Sequence, residues 1–113
     1  MYAVIFEVWP TINGKEEYLN IASQLKLFLE EQKGFICIER FQSLSNEDKL
    51  LSLSFWEDEE AIGLWRNLFE HRIAQQKGRK ELFDDYRIRV SKVVRDYSMN
   101  NRDEIPQDSK DTN

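Results

Sequence analysis

One cysteine and one histidine among 113 residues exclude most site chemistries at the outset. Cys37 has no partner for an internal disulfide, and a zinc site built from Cys37 and His71 would have to lean on carboxylates. None of the four glycines belongs to a Gly-rich phosphate loop. No apolar run approaches the roughly 20 residues that span a bilayer, so no membrane partner is expected. Lys and Arg number 16 against 21 Asp and Glu, and the missing basic excess argues against a nucleic-acid partner. The opening MYAVIFEV lacks the basic n-region and small-residue cleavage site of a signal peptide. With the lone cysteine, this leads us to expect a soluble, cytoplasmic protein.

What is present suits a single core. Apolar residues make up 41% of the chain and aromatic residues 12%, enough for one domain of this length. The charge is unevenly placed. Nine Lys/Arg face four Asp/Glu between Gly63 and Arg95, while the remainder carries seven against seventeen. Complementary faces within the fold or across a dimer explain this more simply than steering of an anionic ligand.

Tyr2 to Trp9 is aromatic and β-branched and too short for a helix, so it reads as a strand that Pro10 stops. Asn13 with Glu16 has the pattern of a capping box. From there Tyr18, Ile21, Ala22, Leu25, Phe28 and Leu29 form one apolar helical face, with Leu27 opposite and Gly34 as the terminator. Phe35 to Gln42 reads as a second strand, with Phe35, Cys37, Glu39 and Phe41 on one side and Ile36, Ile38 and Arg40 on the other. A polar loop leads into Leu50 to Trp56, where Leu51, Leu53 and Phe55 alternate with Ser52 and Ser54 in a third strand. Asp58 to Glu60 supplies negative charge to the start of a second helix carrying Ala61, Trp65, Leu68, Phe69 and Ile73. A bend is expected at Gly63, a stop at Gly78, and Lys77, Arg79 and Lys80 cluster near the end. Phe83 to Tyr97 reads as a long last strand with a bulge near Ser91 and Lys92. Residues 98–113 are polar and aperiodic, a tail expected to be disordered.

The order β-α-β-β-α-β is the split arrangement of ferredoxin-like α+β folds, here over residues 1–97. Its four-stranded antiparallel sheet carries both helices on one face. No remaining segment can cover the other face, so a homodimer is expected.

The stretch from Trp56 to Tyr97 resembles the antibiotic biosynthesis monooxygenase (ABM) domain family of dimeric α+β barrels. The resemblance rests on the strand-end Trp56, on Trp65, on Glu70-His71-Arg72 and Ala74-Gln75, on Gly78-Arg79, and on the closing Arg95-Asp96-Tyr97. The first strand and the Lys33-Gly34-Phe35 turn fit as well. Such domains keep their cavity between sheet and helices, and the resemblance implies oxygenation of a small aromatic (a phenol, quinol or polyketide-like molecule) without metal or flavin. The haem-degrading branch is the neighbouring reading and is disfavoured. Its helical histidine follows the tryptophan by about ten residues, where this chain has Gln75, and the asparagine of its first strand is replaced by Phe6, Glu7 or Val8. A third reading keeps the fold as a non-catalytic ligand-binding or stress-response dimer.

The site candidates follow. Trp65 would shape the pocket and stack on a flat substrate, though its place on the apolar stripe equally suits plain core. Histidine is the side chain suited to proton transfer near neutral pH, so His71 would assist it, against the plainer reading of an exposed helix histidine. Glu7, Arg40 and Arg89 are strand charges that would bind substrate, or else pair across strands or subunits. An enclosed cavity with Trp65, His71 or a strand charge pointing into it would favour chemistry. A space filled by Phe and Leu would not.

Overall fold

The computed structural model describes residues 1–76 and 78–112. Lys77, counted above in the basic cluster, and Asn113 lie outside the described residues. The chain runs β1 (Tyr2–Pro10), α1 (Lys15–Leu29), β2 (Phe35–Gln42), β3 (Leu50–Trp56), α2 (Glu59–Gln76), α3 (Arg79–Leu82) and β4 (Phe83–Lys92), with a 3₁₀ helix at Gln107–Thr112. The strands form one sheet in the order β2-β3-β1-β4, and every neighbouring pair is antiparallel. This is the ferredoxin-like α+β arrangement that the element order implies.

β1 sets the two faces of the sheet. Val4, Phe6 and Val8 are buried and join the core, while Ile5, Glu7 and Trp9 are only partly covered on the opposite side. Register then assigns every other strand. Ile5 lies opposite Leu53 and Arg89, and Leu53 opposite Glu39. Leu50, Ser52, Ser54 and Trp56 are therefore the β3 residues turned towards the helices, and all four are buried. Leu51, Leu53 and Phe55 occupy the helix-free face, half-buried. The alternation expected in β3 is present, with its serines inward.

Several boundaries differ from the sequence reading, each for a local reason. The α1 cap is Gly14, not Asn13, and no side chain caps it. Thr11 O accepts from the amides of Gly14 and Lys15, both at 3.1 Å, while the Thr11 amide donates to Leu82 O at 2.9 Å. A Cβ on Gly14 would fall 2.5 Å from Leu82 O, so this close approach to α3 requires glycine. α1 ends at Leu29, and Gly34 takes its positive φ of 92° in the turn beyond, where its carbonyl accepts from Glu57 N–H at 2.7 Å. Phe28 lies outside the buried stripe of α1. α2 runs through Gly63 without a break, and its start is capped by Asp58 Oδ1, which accepts from Ala61 N–H at 2.9 Å.

In β2 the register shifts between Phe35 and Cys37, so those two residues do not share a face. Phe35 packs its ring against Trp56 at 5.2 Å, whereas Cys37 is exposed. β4 stops at Lys92 rather than Tyr97, although Val93 N–H still donates to Met1 O at 3.0 Å. The irregularity in its pairing lies at Trp9–Pro10, not at Ser91–Lys92.

Candidate functional site

The space between sheet and helices is organised around Phe6, at the middle of the central strand β1. Its ring meets Phe69 at 5.3 Å, Tyr86 at 5.7 Å, Trp65 at 6.1 Å and Tyr18 at 6.4 Å, all edge to face. Edge contacts of this kind stabilise beyond the area they bury. Trp65 and Phe69, one helical turn apart on α2, stack with centroids 5.6 Å apart. The Trp65 indole is also 6.3 Å from Trp56. Trp65 thus belongs to the aromatic core, 4% exposed, and at the same time forms a wall of what space remains.

That space is a cleft of about 10 Å³, room for about one water molecule. Tyr18, Ala22, Leu25 and Leu29 line it from α1, Trp65 and Phe69 from α2, and Phe6, Ile38, Arg40 and Ser52 from the sheet. It therefore combines both outcomes weighed in the sequence. Its volume is nearly filled by aromatic and aliphatic side chains, yet Trp65 and a strand charge, Arg40, reach into it. Arg40 stands opposite Ser52 in the β2–β3 register, and its Nε is buried without a hydrogen-bond partner. Burial pushes the Tyr18 phenol above its ordinary value, and the Arg40 guanidinium beside it opposes that shift.

Glu7 and Arg89 lie elsewhere. Both face the helix-free side, where the Glu7 carboxylate is ion-paired with Arg89 and with Lys49 Nζ, the latter at 2.5 Å. Hydrogen bonds from these two cations hold the Glu7 carboxyl below its ordinary value. Lys49 Nζ also sits 5.0 Å over the Trp9 ring. The adjoining hollow, about 470 Å³, is lined by Ile5, Glu7, Phe41, Lys49 and Leu51 among others. This face is apolar with a charge-paired centre, and the sheet separates it from Trp65.

His71 is exposed on α2 and lines neither the cleft nor this hollow. Gln75, at the spacing of the haem branch's ligand, is exposed too. Neither His71 nor Gln75 is among the residues lining the cleft, so neither is placed to offer a ligand to a haem there. Among the described residues no group of three or more His, Cys, Asp or Glu side chains could hold a metal ion. None of the described helices is long and apolar enough to cross a membrane.

The structure thus joins two of the candidates, Trp65 and Arg40, in one cleft, and two others, Glu7 and Arg89, in an ion pair on the opposite face. Sequence reasoning missed Tyr18 and Ser52. Tyr18 was absorbed into the apolar stripe of α1, although a buried phenol needs a partner for its hydroxyl, and that requirement was the available signal. Ser52 could be placed only once it was known which face of β3 the helices cover.

Comparison with known proteins adds the family. The antibiotic biosynthesis monooxygenase family model matches residues 1–77. A jasmonate monooxygenase (ABM) of Pyricularia oryzae is 44% identical over 94 residues, which cover 83% of this chain and 44% of that protein. This chain therefore spans less than half the length of that relative. An uncharacterised Bacillus subtilis protein, YqjZ, is 32% identical over 94 residues, covering 83% of this chain and 80% of its own. In fold, the structure of Rv0793 from Mycobacterium tuberculosis superposes with a TM-score of 0.71 at 15% identity, over 86% of this chain and 98% of that one.

Proposed function

The chain belongs to the antibiotic biosynthesis monooxygenase family, and from that premise we propose that it oxygenates a small, electron-rich ring compound in the cleft between sheet and helices. The observation that carries this reading is the meeting of Trp65 and Arg40 there, with the hydroxyls of Tyr18 and Ser52. Trp65, Phe6 and Phe69 offer flat apolar surface to a ring and exclude water. Arg40 and Tyr18 offer donors to an oxygen that gains negative charge as the ring gives up electrons.

For a phenol or hydroaromatic ketone the reaction balances without metal, flavin or external reductant. One oxygen atom of O₂ enters the ring as a carbonyl, the other leaves as water, and all four electrons come from the substrate. The family resemblance supports this cofactor-free route. Jasmonate is a second substrate reading, supported by the relative at 44% identity. A monooxygenation that only inserts a hydroxyl needs two further electrons, so the two readings differ in whether a reductant is required. The experiment is oxygen uptake with hydroquinones, naphthols and jasmonate, each with and without a reduced nicotinamide. Uptake above the protein-free rate supports an enzyme, and its dependence on reductant selects the substrate class. No uptake with any of them leaves the non-catalytic binding module as the better reading, which the small volume of the cleft favours.

The proposal includes a second copy of the chain over the helix-free face. Ile5, Leu51, Leu53 and Phe55 are half-covered there and Phe41 is 42% exposed, an apolar surface of the kind that marks association. Sedimentation at micromolar concentration should give a dimer that Leu53→Glu converts to monomer. A wild-type monomer would refute this part.

A further inference from the structure

Among the described residues, Arg40 is the one charged side chain lining the sheet–helix cleft, and nothing negative lines it with Arg40. No carboxylate pairs with it among the described residues. The contrast with the other face of the sheet is direct, since there Arg89 and Lys49 share Glu7. Arg40 as a residue is only partly covered, but a guanidinium nitrogen taken out of water without an acceptor is left with its desolvation uncompensated. Here the burden falls on Nε, an enclosed donor with no acceptor. The nearest polar neighbours do not supply an anion. Tyr18 accepts a hydrogen bond from the Arg40 guanidinium, but it is buried and its phenol is raised, so at neutral pH it stays neutral and keeps its own hydroxyl hydrogen to donate. Ser52, across the register, is an uncharged hydroxyl. The cleft therefore has donors and a positive charge and lacks the anion that would satisfy them.

The shape of the donor set narrows the missing group further. Guanidinium Nε–H and a neighbouring Nη–H point in parallel and match the two oxygens of one carboxylate. A neutral phenol could accept only one of them and would leave the charge unpaired. We propose that the cleft binds the carboxylate of a small organic acid, with Arg40 gripping both oxygens, Tyr18 donating to the same group, and the acid's apolar body lying against Phe6, Trp65 and Phe69. This rests on the reading of the cleft as the substrate site, and it makes Arg40 and Tyr18 the residues that select acids over neutral rings. Binding such an acid requires β2 and α1 to part, since the cleft as it stands has room for about one water molecule. β2 is the element suited to yield, an edge strand held by β3 alone and already bulged at its start.

Calorimetric titration tests this without requiring turnover. The probes are 1-naphthoate against 1-naphthol, and jasmonate against its methyl ester, each pair sharing a ring and differing in the anion. At least one acid should bind roughly tenfold or more tightly than its neutral partner, as hydrogen bonds to a charged group do. Arg40→Gln should bring the pair to within about threefold, and Arg40→Lys should restore part of the preference by returning charge without the fork. Tyr18→Phe should weaken the acid alone by about three- to tenfold. Equal binding of acid and neutral partner, a preference untouched in Arg40→Gln, or binding by neither acid would each overturn the proposal. Thermal unfolding of each variant checks that it is folded, and Arg40→Lys carries the test if Arg40→Gln is not. Acid binding that depends on Arg40, in a protein that takes up no oxygen, would refute the enzymatic reading and leave this inference standing.

Discussion

Trp65 has two roles to separate, core residue and pocket wall, and substitution can separate them. A buried tryptophan removes roughly 150–250 Å² from water, and at about 25 cal/mol per Å² that is about 4–6 kcal/mol. Because Trp65 is only 4% exposed, nearly all of that applies. Measured Trp-to-Ala truncations in cores fall at about 3–5 kcal/mol, so about 4 kcal/mol is expected for Trp65→Ala. A domain of 113 residues has about 6–17 kcal/mol of stability in all, so the alanine variant keeps about 2–13 kcal/mol and stands near the limit of folding only if the wild type lies at the low end. Trp65→Phe keeps a ring over Phe69 and should lose only about 1–2 kcal/mol. Urea unfolding followed by far-UV circular dichroism measures both. With a slope of about 1.5 kcal/mol per molar, the alanine variant should lose roughly 2–3 M in midpoint and the phenylalanine variant roughly 1 M. An alanine cost below about 1 kcal/mol would mean that the indole is not packed among Phe6, Trp56 and Phe69, and the reasoning about the cleft would fall with it. If Trp65→Phe keeps its stability but loses oxygen uptake, the indole matters to the site beyond the fold.

Three other outcomes are expected. His71→Ala should leave stability within about 0.5 kcal/mol and oxygen uptake within about twofold, because the side chain is exposed and away from the cleft; a tenfold loss of uptake would return the imidazole to the reaction. Glu7 has its carboxyl held below the ordinary 4.5 by Lys49 and Arg89, so its contribution is present above that value and is lost as pH falls through the lower folded one. Thermal midpoints of wild type and Glu7→Gln should differ at pH 7 and converge as the pH falls through the lowered folded value, and a difference independent of pH would refute the linkage. Ser54→Ala should cost about 1–3 kcal/mol in thermal or urea unfolding, because Trp56 Nε1–H donates to Ser54 Oγ at 2.8 Å in a fully buried site; Ser54→Thr should recover part of this, and a neutral Ser54→Ala would show that the indole has another partner.

The fold was legible because its signals are periodic and agree with one another: strands with Trp9 and Trp56 at or next to their ends, although β1 runs on through Pro10, one helical stripe from Tyr18 to Leu29, another from Ala61 to Ile73. Boundaries were less so, since they depend on meetings between distant segments. Asn13 has ideal capping chemistry, but Thr11 is tied to the backbone of Glu81 and Leu82, and that contact moves the cap to Gly14. Gly63 has a poor helix propensity, but Ile62 and Trp65 are buried on either side of it and packing carries the helix through. For the site, composition identified strand charges and a helical tryptophan, but not which of them meet. Arg40 and Glu7 looked alike in sequence. Their difference is one of face, and it emerges only when β3 pairs with β1 and β2 in a definite register.

β3 is where that difference is decided. A sheet with helices on one side would be expected to bury its most apolar row beneath them, yet β3 buries Ser52 and Ser54 there and leaves Leu51, Leu53 and Phe55 outward. Volume gives the reason. The inner side must accommodate Trp56, Trp65, Phe69 and Phe6 at ring separations of 5.3–6.3 Å, and leucines in place of the serines would compete for that space. Ser54 meets its polar requirement through the Trp56 indole, while Ser52 remains in the cleft across from Arg40. The outward row then has no helix to cover it, and the proposed second copy is what would remove it from water. One strand thus supports both proposals, with the ligand on its inner side and the partner subunit on its outer side. Under that arrangement the partner braces the sheet from without, so the room a ligand needs must come from the α1 side and the free edge of β2, where Arg40 stands.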